Sequence, residues 1–353
     1  MDSRSVLRAV SQHVVAAATE DPNVVEPTAD ELALSTGAGP RLFTPASACA
    51  PLSAHARSCS CSSTSFMLTA TPPRVATHGL TRYTLIRHAR LACAALAEQG
   101  FVLVKGVCTA AEAAALADEI DRTPLDASCG DLELDGVVSL SNPWNRSLPF
   151  VGFLDRDPVA VVAENALGSG SGPGGGGSPP HDNHVVSMIA TRAAPGAAGA
   201  SDGVHLDFLP MEVDAELLAS GEIAMPLFIT TALYCLTAGT AEVGICAGSH
   251  LAGRAPSGGE AAFNGAAPAK VAVEAGDVLM YRCDAWKCVF ANDSPNPRHA
   301  LRVHYSQPHI GHRFHPLVAE GGDSGFRFNP EIVSELNPRQ RRMLGEHAHY
   351  GYD

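Results

Sequence analysis

The chain has 353 residues, of which 46% are hydrophobic and 17% charged, and its formal net charge is −13 at pH 7. This content suffices for one large domain or two small ones, and the acidic balance without a dense basic run argues against a nucleic-acid partner. No window of eighteen or more apolar residues occurs, so we expect a soluble globular protein without a membrane span.

Residues 1–78 are rich in Ala, Ser, Thr and Pro with weak periodicity, which predicts a poorly structured N-terminal extension. Acidic side chains such as Glu20 and Asp21 oppose a transit peptide, and no apolar segment follows a basic start, which opposes secretion. We therefore expect a cytoplasmic location. Organelle import is a lesser alternative, because residues 53–80 lack acids and resemble a targeting segment in composition.

Residues 79–353 are predicted to form the folded domain. Apolar residues at helical spacing predict a helix over residues 85–99, and a strand is predicted to follow over residues 101–104. Thr109 with Glu112 three residues later is a capping-box pattern, so we expect a second helix to begin there.

A Gly, Ser and Pro-rich segment at 168–180 is expected to be a flexible surface loop rather than a phosphate-binding loop. Short apolar or alternating segments after it predict strands at 185–191, 229–236, 243–246, 271–273, 278–282, 288–291 and 301–306. Several short strands at this spacing are typical of a β-sandwich or barrel.

Ten cysteines are scattered along the chain without a C-x-x-C pair. This distribution favours free thiols in a reducing compartment over a disulfide framework. Cys283 and Cys288 are close to residue 287, discussed below, and a thiolate there would suit a soft metal. A cysteine on a core strand is more often a small apolar residue.

His205 and Asp207 are two residues apart. On a strand, both side chains would point to one face and could hold the same metal ion. A non-haem iron(II) oxygenase uses two histidines and one carboxylate in this way and leaves positions open for a co-substrate and dioxygen. His205 and Asp207 would supply two of these three ligands, but the tripeptide is common by chance and needs context.

That context is a series of motifs: His205-Leu206-Asp207, then Ala247-Gly248-Ser249-His250, then Gly276-Asp277 before an apolar strand, then Asn292 and Arg298. In this order they resemble the phytanoyl-CoA dioxygenase family of Fe(II) and 2-oxoglutarate-dependent oxygenases, from about Thr81 to the C-terminus. The resemblance implies a mainly β fold with flanking helices, built on a double-stranded β-helix (jelly-roll, cupin-like) barrel. It also implies Fe(II) as cofactor, 2-oxoglutarate as co-substrate and hydroxylation of a small molecule, either lipid-like or another metabolite.

Arg298 is the residue that matches the co-substrate anchor of the family. A guanidinium gives planar, bidentate recognition of a carboxylate, which the far end of 2-oxoglutarate requires. Arg302 shares its face of the strand and is a second choice for the same role. The alternative for Arg298 is a structural salt bridge across the barrel wall.

Lys287 is where the sequence departs from the family. The second histidine ligand of the family lies five residues before the Asn and eleven before the Arg, and Lys287 occupies that position. A protonated lysine has no lone pair and repels a divalent cation. Lys287 is therefore an atypical distal ligand.

Three outcomes are open at this position. In the first, iron is held by His205 and Asp207 alone, and Lys287 hydrogen-bonds to or pairs in charge with the Asp207 carboxylate or the co-substrate. In the second, another histidine replaces the missing one, and in the third the barrel has lost oxygen chemistry. The replacement candidates are His181 and His184 after the glycine-rich loop, His299, which should face away from Arg298, and His304, six residues beyond it.

In the third outcome, the ammonium of Lys287 forms an ion pair with Asp207 and takes the place of the metal. The protein would then be a catalytically degenerate barrel that binds a small acid or a protein partner. A cupin-like protein that uses a metal other than iron is a further alternative. The sequence indicates neither the substrate nor the oligomeric state.

Overall fold

The computed structural model describes residues 74–76, 82–168, 184–197, 203–209, 214–220, 227–307 and 328–345. They belong to a compact unit, Thr71–Asp353. Most of the predicted extension and residues 169–180 of the predicted loop lie outside the described residues. The exception in the extension is Arg74–Ala76, which forms a strand paired in parallel with residues 103–105. Regular pairing thus begins before the boundary expected at residue 79.

The described strands are β1 Arg74–Ala76, β2 Phe101–Lys105, β3 Leu132–Leu134, β4 Val137–Ser141, β5 His184–Ala193, β6 Ile229–Cys235, β7 Gly239–Thr240, β8 Val243–Ile245, β9 Ala272–Val273, β10 Val278–Arg282, β11 Lys287–Val289 and β12 Arg298–Ser306. The described helices are α1 Arg82–Gln99, α2 Ala110–Arg122, α3 Val159–Gly168, α4 Ala215–Ser220, α5 Pro330–Glu335 and α6 Pro338–Met343. None of these helices is both long and apolar enough to cross a bilayer.

The strands form two layers. The larger sheet has the order β1-β2-β10-β6-β12-β5-β4-β3, and the smaller layer contains the β11-β8 and β7-β9 pairs. Isolated bridges extend this layer by joining His205 to Lys287 and Ile245 to Ala269. From β5 to β12 the chain passes repeatedly between the two layers. This topology confirms the double-stranded β-helix barrel with flanking helices that the sequence predicts.

The strands β2, β6, β10 and β12 of the larger sheet contribute to two cores, because successive side chains point to opposite faces. On the outer face, residues such as Met280 and Val303 pack with α1, α2 and α3. On the inner face, residues such as Leu279 and Ala300 pack with the smaller layer. Fully burying a valine, leucine or methionine side chain stabilises the fold by about 1.5–3 kcal/mol. The inner face also carries the polar groups of the candidate site.

Several predicted elements agree closely with the structure. The bounds of β10 are those predicted, and the capping box of α2 is present: the Thr109 side chain accepts from the Glu112 amide, and the Glu112 carboxylate accepts from the Thr109 amide. The β3–β4 hairpin was not predicted, because β3 is only three residues long, and its two leucines are exposed and pack in no core. Its Asp135-Gly136 turn, with positive φ at both residues, is a typical hairpin dipeptide.

Gly276 and Asp277 form a corner that joins β10 to the end of β2. The Gly276 carbonyl accepts from the amides of Val107 and Cys108, at 2.9 and 3.2 Å. The buried Asp277 carboxylate accepts from Lys105 Nζ at 2.7 Å and from the Gly106 amide at 3.0 Å. Gly276 has a φ of +97°, and a Cβ there would overlap the Cys108 carbonyl. The corner therefore requires glycine.

Gly276→Ala is expected to lower the free energy of unfolding by about 2 kcal/mol or more, because it adds backbone strain to a steric overlap. Urea denaturation measures the change. Gly258→Ala is the matched control, since Gly258 has open space around its Cβ position and no positive φ. Equal effects of the two substitutions would contradict the assignment of this corner.

Candidate functional site

His205 and Asp207 lie on an extended segment beside the start of β11. The amide of His205 donates to the Lys287 carbonyl at 2.9 Å, and the amide of Lys287 donates to the His205 carbonyl at 2.7 Å. The amide of Asp207 donates to the Cys283 carbonyl at 3.0 Å. These backbone bonds bring the three residues of the predicted site together.

Lys287 places its ammonium between the other two side chains. Its Nζ is 2.9 Å from Asp207 Oδ1 and 3.3 Å from His205 Nε2. The Lys287 side chain is only 4% exposed, whereas that of Asp207 is 32% exposed. The ion pair that the sequence analysis offered as one alternative is therefore present.

The ring of His205 is oriented by its Nδ1 atom, which does not contact Lys287. His205 Nδ1 is 3.1 Å from the Gly203 carbonyl oxygen, which can only accept a hydrogen bond. We therefore assign the proton to Nδ1, which leaves a lone pair on Nε2. The Lys287 ammonium then donates to Nε2 and to the Asp207 carboxylate, and both acceptors are satisfied.

The charge of Asp207 is stabilised by its neighbours. Burial alone would raise the pKa of this carboxyl group, but the Lys287 ammonium, with smaller contributions from His304 and Arg302, brings its pKa below the ordinary value. Asp207 is consequently an anion at neutral pH, and its exposed oxygen surface can accept hydrogen bonds.

Alternate residues of β12 point into the barrel, as predicted. His304 faces inward, with Nδ1 3.0 Å from Ser187 Oγ, and burial lowers its pKa to about 4, so its ring is neutral at pH 7. His299 faces the other way, with Nε2 3.0 Å from Asp121 Oδ1 on α2. His299 is therefore not a replacement ligand.

Arg298 is buried at the start of β12. Its Nη2 and Nη1 donate to the carbonyls of Phe290 and Ala291, at 2.6 and 3.2 Å. The side-chain Nδ2 of Asn292 in the same turn donates to the carbonyls of Ala193 and Asn296. Both side chains thus stabilise the turn between β11 and β12. A role for Arg298 in co-substrate binding stays a prediction.

Arg302 lies two inward positions further along β12 and pairs with Glu242, which precedes β8. Arg302 was a candidate from the sequence, whereas Glu242 was not among the predicted site residues. An acidic residue between the apolar residues Ala241 and Val243 was the available signal, because such a residue is rarely buried without a partner.

A cavity of about 230 Å³ opens beside Asp207. Its lining residues are Ser141, Asn142, Val186, Ser187, Met188, Ile189, Asp207, Phe208, Ile229, Cys283 and His304. The lining is mostly apolar, and Asp207 supplies its negative charge. Burial raises the pKa of the Cys283 thiol, so this cysteine is a small neutral group and not a thiolate ligand.

The described side chains do not complete an iron facial triad. His205 Nε2 and Asp207 Oδ1 are two donors, but the third position holds the Lys287 ammonium, which has no lone pair. Within the described part of the chain, no group of three His, Cys, Asp or Glu side chains is arranged to hold a metal. The side chains of His181 and His184 lie outside it.

No family model matches the chain, and no curated protein matches it. Membership of the phytanoyl-CoA dioxygenase family therefore stays a prediction.

Solved structures with a similar fold include the non-heme alpha ketoglutarate dependent epimerase SnoN from nogalamycin biosynthesis, with 17% identity and a TM-score of 0.49 over 68% of this chain and 93% of that one. HygX from Streptomyces hygroscopicus, with nickel and 2-oxoglutarate bound, has 15% identity and a TM-score of 0.45 over 66% and 89%. AviO1 from Streptomyces viridochromogenes Tue57 has 17% identity and a TM-score of 0.45 over 63% and 96%. At these values the similarities assign neither a family nor an activity to this chain.

Lys287→Met is expected to lower the free energy of unfolding by about 1–2 kcal/mol, because it leaves the partly exposed Asp207 carboxylate without its cation. In a double-mutant cycle, adding Asp207→Asn should recover part of this loss. Chemical denaturation of the four proteins measures the coupling. Lys270→Met is the control, since Lys270 forms a 3.5 Å pair that is exposed and should cost no more than about 0.5 kcal/mol. Additive effects at Lys287 and Asp207 would contradict the pairing.

His250 makes the free energy of unfolding depend on pH. It is buried, its Nε2 is 2.9 Å from the Ala97 carbonyl oxygen, and burial with the nearby Arg282 charge lowers its pKa from 6.5 to about 4. The unfolded chain therefore binds more protons than the folded one between these values. The contribution of neutral His250 to the free energy of unfolding is fully present above pH 6.5. It is lost as the pH falls towards 4, by an amount on the order of 3 kcal/mol.

His250→Gln keeps a donor for the Ala97 carbonyl and removes the titration. We expect its unfolding free energy, measured by urea denaturation from pH 7 to pH 4.5, to depend less steeply on pH than that of the wild type. Parallel pH profiles would show that His250 does not titrate in this way.

Proposed function

We propose that this barrel binds a small molecule without iron, and that the Lys287 ammonium takes the place of the metal. The observation that carries this proposal is the buried ammonium, 2.9 Å from Asp207 and 3.3 Å from His205. The protein would then be a catalytically degenerate relative of metal-dependent barrels. Its function would be binding rather than oxidation.

The physical basis is charge compensation. A cation at the Lys287 position is already paired with Asp207 and hydrogen-bonded to His205. A divalent ion would have to compete with the ammonium for Asp207 and His205. It would then either repel the ammonium at close range or displace it from the site. Two protein donors without a third also hold a metal less well than a full triad.

The lining of the cavity indicates the class of ligand. Apolar side chains such as Val186, Phe208 and Ile229 would contact a hydrocarbon body. The Asp207 carboxylate would accept hydrogen bonds from hydroxyl or amino groups. Drug-sized ligands occupy pockets of about 300–1,000 Å³, so this cavity suits a smaller molecule.

A second candidate is the Fe(II) and 2-oxoglutarate-dependent dioxygenase expected from the sequence. The convergence of His205 Nε2 and Asp207 Oδ1 on one point favours it, because a metal ion needs ligands with this arrangement. Bound iron and 2-oxoglutarate would supply the oxidation of a C–H bond in a small-molecule substrate. His205 and Asp207 would orient the metal, and Arg298 or Arg302 would bind the co-substrate carboxylate.

An anaerobic Fe(II) titration with and without 2-oxoglutarate separates the two candidates through the visible charge-transfer band of the chelated complex. We expect no band in the wild type and a band in Lys287→His, because the substitution restores the third donor and the bound Fe(II) would then chelate 2-oxoglutarate without help from Arg302. Lys270→His is the control, since it adds a histidine at an exposed position away from these ligands and should give no band.

A wild-type band that needs both iron and 2-oxoglutarate, and that is lost in Asp207→Ala, would reject the proposal and establish the dioxygenase. The absence of a band in both the wild type and Lys287→His, with both proteins folded and with no Fe(II) retained by Lys287→His after anaerobic desalting, would show that Lys287 is not the distal position.

A further inference from the structure

Arg302 and Glu242 form a second ion pair inside the barrel. Arg302 Nη2 donates to Glu242 Oε1, and the Thr191 hydroxyl donates to Glu242 Oε2 at 3.1 Å. Glu242 is 5% exposed and Thr191 is 3% exposed. The carboxylate of Glu242 thus connects the start of β8, in the smaller layer, with β5 and β12 in the larger sheet.

This pair is next to the cavity. Arg302 is one inward position before His304 on β12 and is in register with Ile189 on β5, and both of these neighbours line the cavity. Arg302 is also close enough to Asp207 for their charges to interact. The guanidinium is therefore the cationic group that a carboxylate entering the cavity would approach.

A buried guanidinium is a strong receptor for carboxylates, because it offers a planar fork of N–H donors. Glu242 already uses this receptor, while Arg302 Nε is buried without a partner among the described residues. A ligand carboxylate would have to displace Glu242, and the displaced carboxylate would be left buried and unpaired. Such an exchange is unfavourable.

We propose that Glu242 is a specificity-determining residue that closes the Arg302 guanidinium to anionic ligands. The cavity then accepts cationic or uncharged molecules with hydroxyl or amino groups and rejects carboxylates of the same size. This inference rests on the proposed function, in which the cavity binds a small molecule, and identifies the residue that excludes anions from it.

Three probes with the same ring test the inference: cyclohexylamine, cyclohexanol and cyclohexanecarboxylate. Their binding to metal-free protein in the presence of EDTA is measured by ligand-observed NMR titration. In the wild type we expect the amine and the alcohol to bind and the carboxylate to bind at least about tenfold more weakly than the amine. In Glu242→Gln the carboxylate should gain at least about tenfold in affinity, with a smaller change for the alcohol.

Glu164→Gln is the matched control, because Glu164 is a buried carboxylate paired with Arg339 away from the cavity. It should leave the binding of all three probes unchanged. Glu242→Gln combined with Arg302→Gln should lose the gain for the carboxylate, since the receptor is absent. If Glu242→Gln does not fold alone, refolding with cyclohexanecarboxylate should rescue it and refolding with cyclohexanol should not.

Equal affinities of the wild type for the amine and the carboxylate, no gain in Glu242→Gln, or no selective rescue would overturn the role of Glu242. Failure of the amine and the alcohol to bind the wild type would instead count against the proposed binding function. The two failures are therefore distinguishable.

Discussion

The contact between the Lys287 ammonium and the Asp207 carboxylate is the interaction on which the centre of this barrel depends. The reciprocal backbone bonds between His205 and Lys287 attach the segment that carries His205 and Asp207 to β11, and the side-chain contacts then determine the charge of this region. An ammonium and a carboxylate at 2.9 Å neutralise each other where a metal and its ligands would otherwise do so.

The same rule of pairing applies to the rest of the inner face. Arg302 is compensated by Glu242, and Arg298 donates to backbone carbonyls, so each buried guanidinium has polar partners. His304 is neutral because charging it in this environment would be costly. A hydrophobic barrel tolerates these polar side chains because almost every buried charge has a partner beside it. The opposite face of β12 packs apolar residues against the helices.

Much of the fold was predictable, since its signals are local. The capping box at Thr109 and the apolar strand β10 depend on neighbouring residues and were predicted well. The convergence of His205, Asp207 and Lys287 followed from spacing combined with a family resemblance. The pairing of Arg302 with Glu242 was not predictable from spacing, because it joins residues 60 positions apart whose proximity depends on which strands become neighbours. For the same reason, the sequence did not reveal that Arg298 donates to the Phe290 and Ala291 carbonyls.

The compensated interior also affects how molecules approach the protein from solution. The pairs Lys287 with Asp207 and Arg302 with Glu242 each sum to zero, so the net charge of −13 arises from the rest of the chain. A charge of this size produces a long-range negative potential that slows the encounter of anions and speeds that of cations, most strongly at low ionic strength. Discrimination by charge would therefore begin during diffusional approach, before any ligand reaches the barrel.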